Sequence, residues 1–157
     1  SKKEITELEV LARKKGSGIE FDSLIGLWKF ESVWKQSTDK EDPIASSLLR
    51  IFGASLELRE AEINEENMKF HIVNSIRFGI LSIRFVGSGE LTGSQPLLPF
   101  FFRSIELKSE DKLLFNRSLE IPKEKDRPFF ALIAMGERQQ WLSARGRGGG
   151  LAIWMKN

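Results

Sequence analysis

Residues able to do covalent or metal chemistry are scarce in this chain. Its 157 residues include one histidine, His71, and no cysteine. Thiolate nucleophiles, disulfides and cysteine metal sites therefore cannot form. The sequence also lacks a Ser-His-Asp triad, a pair of histidine metal ligands and a phosphate-cradling glycine loop. The carboxylates fall in turns and on polar faces, so we expect no catalytic residue, no metal site and no required cofactor.

One polar side chain stands out because its neighbours on the same face are apolar. In the clearest strand of the sequence, residues 68–78, Asn74 alternates in phase with Phe70, Ile72 and Ile76. An amide buried among such residues must find a hydrogen-bond partner. The backbone and the polar end of a ligand are both candidate partners.

The aromatic composition favours a dry interior. The chain has 12 Phe and 4 Trp but no Tyr, so no aromatic ring carries a hydroxyl. Such side chains suit a filled core or a cavity for an apolar molecule, and alternation cannot distinguish the two. The predicted ligand-lining residues are Trp28, Phe30, Trp34, Phe70, Ile72, Asn74, Ile76, Ile83, Phe85, Phe102, Phe130 and Leu132.

The elements that would position these residues are mostly strands. Period-two segments begin at Gly26 and recur to the end of the chain with short turns between them, which predicts an all-β, antiparallel barrel of roughly eight to nine strands. A turn is predicted at Asn64 to Asn67, a bend at Gly79 and a bulge or kink at Gly87 to Gly89, and Met68 begins the inward face of the strand over 68–78. Residues 4–15 form an amphipathic pattern, with Ile5, Leu8, Leu11 and Ala12 along one stripe. A second short helix is expected after the first strand, beginning near Asp42-Pro43 and ending near Gly53. We therefore divide the chain into a helix and linker over 1–18 and a barrel domain over 19–157.

The segment Gly26-Leu27-Trp28 has the Gly-x-Trp form that lipocalins carry at the start of their first strand. In that position Trp28 would close one end of the barrel. A cation from the last strands would cover its ring by a cation–π contact. Arg145 and Arg147 are the predicted partners, so the barrel-closing set is Gly26, Trp28, Arg145 and Arg147.

The glycine-rich segment Arg145 to Gly150 has three interpretations. It fits a hairpin turn between two strands, an RNA-contacting Arg-Gly segment, or a backbone nest that holds an anion such as a lipid phosphate. We favour the turn because apolar strand segments flank it on both sides.

Two further segments invite contact with other molecules. In the run Phe100-Phe101-Phe102, alternation sends at least one ring to the outer face beside Arg103. That ring would meet a membrane surface, a partner or another part of the chain. The charged loop from Pro122 to Pro128 would flank the barrel mouth or be solvated.

The charge balance argues against nucleic acid as a partner. The chain has 24 basic and 22 acidic residues, a formal net charge of +2, whereas phosphate-backbone binding usually shows a clear basic excess. No apolar run is long enough to cross a bilayer and no secretory signal is visible, so we expect a protein that is not secreted and has no transmembrane segment.

Three stretches resemble the plastid lipid-associated protein (fibrillin) family. The segment Trp141 to Trp154 is similar to its closing hairpin, in which a strand ends in Arg-Gly before a short turn and an apolar strand. Leu24 to Phe30 resembles its opening strand, and Ala54 to Phe78 resembles its central hairpin. The acidic stretch with a Tyr-Leu-Asp core that the family usually carries is replaced here by Gly136 to Trp141.

The resemblance implies a lipocalin-like barrel of cyanobacteria or plastids that associates with thylakoids or plastid lipid bodies. It implies a carotenoid, quinone or other lipid as the bound molecule, with a structural or assembly role in photosynthetic membranes. Two alternatives stay open. One is an interaction subunit with a filled barrel that docks on a thylakoid membrane complex. The other is a phycobilin chromophore lyase, which would need polar groups inside to hold the bilin propionates. Arg77, Arg84 and Arg103 are the basic groups considered for this, and they fall mostly on the predicted outer face.

Overall fold

A computed structural model describes residues 2–34, 54–61, 69–92, 97–136 and 138–157. Two helices precede the first strand. The helices and strands, in chain order, are α1 Lys2–Lys15, α2 Phe21–Leu24, β1 Gly26–Trp34, β2 Ser55–Glu60, β3 Lys69–Phe78, β4 Leu81–Glu90, β5 Leu97–Ser109, β6 Lys112–Ser118, β7 Phe129–Met135, β8 Trp141–Gly146 and β9 Leu151–Lys156. A single 3₁₀ turn, Glu124–Asp126, lies in the loop before β7.

These strands form one antiparallel sheet that closes into a ring. The order around it is β4-β3-β2-β1-β9-β8-β7-β5, and β4 pairs with β5 to complete the closure. Among the described strands, β6 is attached outside this ring and pairs with β5 alone. The all-β, barrel-like fold predicted from the period-two pattern is therefore confirmed.

Two of the predicted turn and bulge positions illustrate why the pattern works. Gly79 sits in the β3–β4 turn with a positive φ of 56°, a conformation that costs glycine nothing. Gly87 lies where the pairing of β4 with β5 shifts register. A Cβ on Gly87 would lie 1.8 Å from the carbonyl oxygen of Phe101. Only glycine allows the two backbones to approach this closely.

One end of the ring is covered by α2. Phe21 of this helix stacks on Phe70 with ring centroids 4.3 Å apart. Leu24, Trp28 and Phe70 are fully buried there. The Trp28 Nε1–H donates to the carbonyl oxygen of Leu24 at 2.9 Å, so the only polar atom of the indole is satisfied inside the core.

Helix α1 packs on the outer surface of the barrel wall. Its Ile5 lies in an apolar cluster with Ile133 and Leu151. The predicted stripe is partly wrong, because the buried face consists of Ile5, Glu9 and Ala12 while Leu8 and Leu11 are exposed. The reason is an ion pair: Glu9 must face the wall to reach Arg145, and this rotates the two leucines outward.

Strands β3, β4, β5 and β6 continue beyond the other end of the ring. The turns of their two hairpins are joined by a hydrogen bond from the Glu110 N–H to the Ile80 carbonyl oxygen, 2.7 Å. Every residue of β6 is exposed. The helix predicted near Asp42 to Gly53, the turn predicted at Asn64 to Asn67 and the inward position predicted for Met68 lie outside the described residues.

Candidate ligand-binding site

At the end of the ring away from α2, the described residues border a cavity of about 220 Å³. Its walls are mainly apolar side chains from β1, β3, β4 and β9. The lining residues are Phe30, Ala54, Ser55, Asn74, Ser75, Ile76, Phe85 and Trp154. We call this volume the open-end cavity. Four of the predicted ligand-lining residues, Phe30, Asn74, Ile76 and Phe85, meet in it.

Five aromatic rings form a continuous arc whose two ends lie in the cavity wall. The distances between successive ring centroids are 5.5, 5.6, 4.9 and 5.3 Å. The rings, in order, are Phe85, Phe102, Phe100, Phe130 and Trp154. Their tilted, stacked and edge-on contacts hold the arc in place, because each ring is fixed by its neighbours. The arrangement presents rigid π surface to whatever enters the cavity.

Phe102 and Phe130, both predicted to line the site, thus support the cavity through this arc. The lining residues Ala54, Ser55, Ser75 and Trp154 were not predicted, nor was Phe100 in the arc behind them. Trp154 could have been found from sequence, since it alternates in phase with Ala152 in the last strand and stands opposite Phe30.

Asn74 supplies a polar group inside this apolar wall. It is half-buried on β3, opposite Leu56 on one side and Phe85 on the other. A carboxamide both donates and accepts hydrogen bonds, so it can pair with a carbonyl or a hydroxyl group. An apolar pocket with one such group fixes the orientation of a ligand as well as holding it.

The predicted lining residues Trp28, Phe70, Ile72 and Leu132 belong to a different region. All four are buried in the filled core beneath α2, and three of them have no exposed surface at all. Trp28, Phe70 and Ile72 are packed on all sides by protein, while Leu132 also borders a separate cavity of about 250 Å³ between α1 and β7. Ile83 lies outside the cavity, on the β4 segment that continues past the ring opposite Ile76 and Leu107.

Trp34 was predicted to face inward, and the structure places it on the outer side. The pairing of β1 with β9 shifts between Phe30 and Ser32, as a β-bulge does. The extra residue reverses the alternation that Trp28 and Phe30 establish. Trp34 therefore packs with the outer cluster beneath α1.

Trp28 closes the covered end as predicted, but the cation beside it is a different one. The Lys156 ammonium lies 5.4 Å from the centroid of the indole ring. Gly26 has φ +143°, and a Cβ there would stand 3.0 Å from Lys156 Cε. The glycine of the Gly-x-Trp segment thus leaves room for the lysine stem.

Arg145 and Arg147 take other roles. Arg145 grips Glu9 of α1 with two hydrogen bonds, Nε to Oε2 at 2.6 Å and Nη2 to Oε1 at 2.9 Å. Its Nη1 donates to the Gly149 carbonyl oxygen at 2.8 Å. Arg147 Nη1 donates to the carbonyl oxygen of Arg127 at 3.1 Å. The glycine segment is a β8–β9 hairpin turn, as we favoured, with Gly149 at φ +91°.

The protruding hairpins carry exposed apolar side chains, which we call the exposed apolar strip. These large side chains are 39–63% exposed. They are Phe78, Ile80 and Leu81 at the β3–β4 turn and Leu113, Leu114 and Phe115 on β6. Several large apolar side chains exposed on neighbouring hairpins favour a contact surface.

The charged residues considered for catalysis lie elsewhere. Arg77 and Arg84 line an outward groove, and Arg84 pairs with Glu106 at 3.3 Å. His71 is exposed on β3. Within the described ranges, no cluster of three or more His, Cys, Asp or Glu side chains could hold a metal ion. No helix in those ranges is both long and apolar enough to cross a bilayer.

The chain was compared with known protein families, curated proteins and solved structures. No protein family, curated protein or solved structure matches the chain. The function must therefore be argued from the site itself.

Proposed function

We propose that the protein binds an apolar small molecule, with a flat ring of that molecule seated in the open-end cavity. The observation that carries this proposal is the arc of five aromatic rings, which begins and ends in the cavity wall at Phe85 and Trp154. A flat conjugated ring stacks favourably on such surface. Asn74 would hydrogen-bond a carbonyl or hydroxyl group on that ring.

The size of the cavity limits how much of the ligand enters. Its volume of about 220 Å³ is below the roughly 300–1,000 Å³ of pockets that enclose a whole drug-sized molecule. Burying about 200 Å² of ring surface gains about 5 kcal/mol, which is comparable to the rotational and translational cost of association. Ring burial alone therefore gives weak binding, and the rest of the molecule must contact the exposed apolar strip.

Molecules with a ring and a long apolar tail would place the ring in the open-end cavity and the tail on the exposed apolar strip. Carotenoids and prenylated quinones have that shape, and an acyl lipid would use the strip more than the cavity. The setting at photosynthetic membranes, and a structural or assembly role there, come from the sequence resemblance to plastid lipid-associated proteins. Binding rather than catalysis is proposed because Arg77, Arg84 and Arg103, the basic groups considered for holding bilin propionates, do not line the cavity.

A direct test uses tryptophan fluorescence and a short-chain benzoquinone. Trp154 lies in the cavity wall, so a quinone seated there should quench its emission saturably. The variant Ile76→Phe fills part of the cavity and should weaken binding. Ile121→Phe makes the same change at an exposed position outside both the cavity and the strip and should bind like the native chain. Equal binding by both variants would contradict the proposed site.

The natural ligand can be sought with a second experiment. Purified protein is incubated with a thylakoid lipid extract, re-isolated and extracted with organic solvent for mass spectrometry. A stoichiometric carotenoid, quinone or acyl lipid is the expected result. An empty extract from folded protein would contradict ligand binding.

One observation favours a second candidate, the interaction subunit. Strand β6 is wholly exposed and carries Leu113, Leu114 and Phe115. Replacing Phe115 with Ser would then abolish co-migration with a solubilised thylakoid complex on a native gel. If the strip serves ligand binding instead, the same variant weakens binding of a long-tailed quinone more than that of a short-chain one.

A further inference from the structure

A second cavity, of about 280 Å³, lies on the outer surface of the barrel and takes no part in the proposed ligand binding. It is bordered by the ends of β3 and β4, by β5 and by the loop before β7. Its lining residues are Lys69, Ser88, Gly89, Glu90, Pro99, Phe101, Arg103 and Arg127. We call it the basic pocket.

Phe101 is the outward ring of the triple phenylalanine run, and two arginines cover it. The guanidinium carbon of Arg127 lies 4.7 Å from the ring centroid, and that of Arg103 lies 5.7 Å from it. Stacking on an aromatic face fixes a guanidinium plane and leaves its N–H edge free to bind in the plane. Arg103 also donates from Nη2 to the hydroxyl of Ser88.

The backbone around Arg127 is held by neighbours on both sides. The Phe100 N–H donates to the Pro128 carbonyl oxygen at 3.0 Å, which ties the loop to β5. Arg147 of the β8–β9 turn donates to the carbonyl oxygen of Arg127 itself. Three sequence features considered separately, the phenylalanine run, the Pro122–Pro128 loop and the Arg-Gly turn, therefore meet at this pocket.

The Nε–H of Arg127 is buried and has no hydrogen-bond partner among the described residues. A buried donor without a partner is costly, more so when it belongs to a charged group. An oxyanion in the pocket would satisfy this donor after a small rotation of the Arg127 side chain. The unpaired donor and the two guanidinium groups over Phe101 are together the features that an anionic ligand would use.

The charges of the lining residues indicate which kind of ligand would bind in the pocket. Among the described lining residues, Lys69, Arg103 and Arg127 contribute three positive charges and Glu90 one negative charge. The remaining excess of two matches a dianion. We propose that the basic pocket binds a phosphate or sulfate group, held by the guanidinium edges of Arg103 and Arg127, which suit the tetrahedral oxygens of such anions.

The proposal can be tested by NMR on isotope-labelled protein titrated with inorganic phosphate, and then with sulfate. The Arg127 Nε–H resonance should shift saturably. Arg127→Gln should weaken binding about tenfold to a hundredfold, the range that charge-assisted hydrogen bonds supply. No shift of the Arg127 side chain in the native protein, or binding unaltered in the variant, would overturn the proposal.

Two control variants separate a built site from a general positive field. Arg117→Gln removes the same charge from exposed β6 and should leave phosphate binding unchanged. Arg127→Lys keeps the charge but loses the planar fork and the Nε–H, so it should bind nearly as poorly as Arg127→Gln. If Arg117→Gln weakens binding equally, only net charge matters and the proposal fails.

The source of the anionic group is distinguished with vesicles. Phosphatidylcholine vesicles with and without phosphatidylglycerol are mixed with the protein and sedimented. Binding that needs phosphatidylglycerol and is lost in Arg127→Gln assigns the pocket to a lipid headgroup. Phosphate binding without vesicle binding assigns it to a soluble phosphate or sulfate ester. Quinone binding at the open-end cavity is measured in parallel and should not change in any of these variants.

Discussion

The covered and open ends of the barrel are built from the same kinds of inward-facing residue, yet the described residues fill one end and border a cavity at the other. At the covered end Leu24, Trp28 and Phe70 have no exposed surface. At the open end Phe30, Ile76 and Phe85 are only half-buried and border a cavity. Alternation along strands accounts for the inward orientation at both ends.

What differs is the structure that continues from each end. The short helix α2 lies across the covered end, and its Leu24 carbonyl oxygen accepts the indole hydrogen of Trp28. At the open end β3, β4 and β5 continue past the ring. The same inward pattern thus gives a filled core where a helix covers it and borders a cavity where the strands extend beyond the ring.

The largest expected difference between the two ends is in stability. Trp28→Ala removes a fully buried indole and should lower the free energy of unfolding by about 3–5 kcal/mol. Phe85→Ala removes a half-buried ring beside an existing cavity, so the loss of unfolding free energy should be less than half of that for Trp28→Ala. Urea denaturation of both variants measures the difference. Equal losses would mean that the open end is packed as tightly as the covered end.

An intermediate effect on stability is expected from the ion pair between Glu9 of α1 and Arg145 of the barrel wall, which we call the brace. Glu9 is largely buried beneath α1 and holds Arg145 through two hydrogen bonds. Glu9→Ala would remove the carboxylate that pairs with the Arg145 guanidinium and should lower the free energy of unfolding by about 1–3 kcal/mol. The loss is limited because Arg145 stays partly solvated and keeps its hydrogen bond to the Gly149 carbonyl oxygen. Hydrogen exchange should show α1 amides opening while both ends of the barrel stay protected.

The matched control for this brace is Glu7→Ala, which removes an exposed carboxylate from the same helix. It should change stability by only a few tenths of a kcal/mol. If Glu9→Ala exposes the covered or the open end to exchange as well, α1 is part of the barrel core and the separation into regions is wrong.

The strand pattern could be predicted because period-two alternation and glycine turns act locally. The turns at Gly79 and Gly149 and the inward direction of Phe30, Asn74 and Phe85 follow from residue type and spacing alone. The cavity itself could not be predicted, since the same alternation fits a filled and a hollow interior. Which end is hollow depends on where α2 and the extended hairpins lie.

Two errors have identifiable physical causes. The prediction that Trp34 faces inward was wrong because a bulge adds one residue to β1. Such an insertion leaves no clear sign in the alternation of the sequence. The cation expected over Trp28 was sought among the arginines of the β8–β9 turn. Arg145 instead forms a long-range ion pair with Glu9. The strand register places Lys156 opposite Trp28, so the cation over the indole is this lysine. Both depend on pairing between distant strands.

The smallest expected effect concerns this lysine. Lys156→Gln should lower stability by about 0.5–1 kcal/mol, because its ammonium lies over Trp28 while its own side chain is exposed. Lys156→Arg keeps a cation and should recover most of the loss, as judged from urea midpoints. Quinone binding at the open-end cavity should stay unchanged in both variants. A change in binding would show that the covered and open ends are coupled through the packed core, so that the filled end does more than support the barrel.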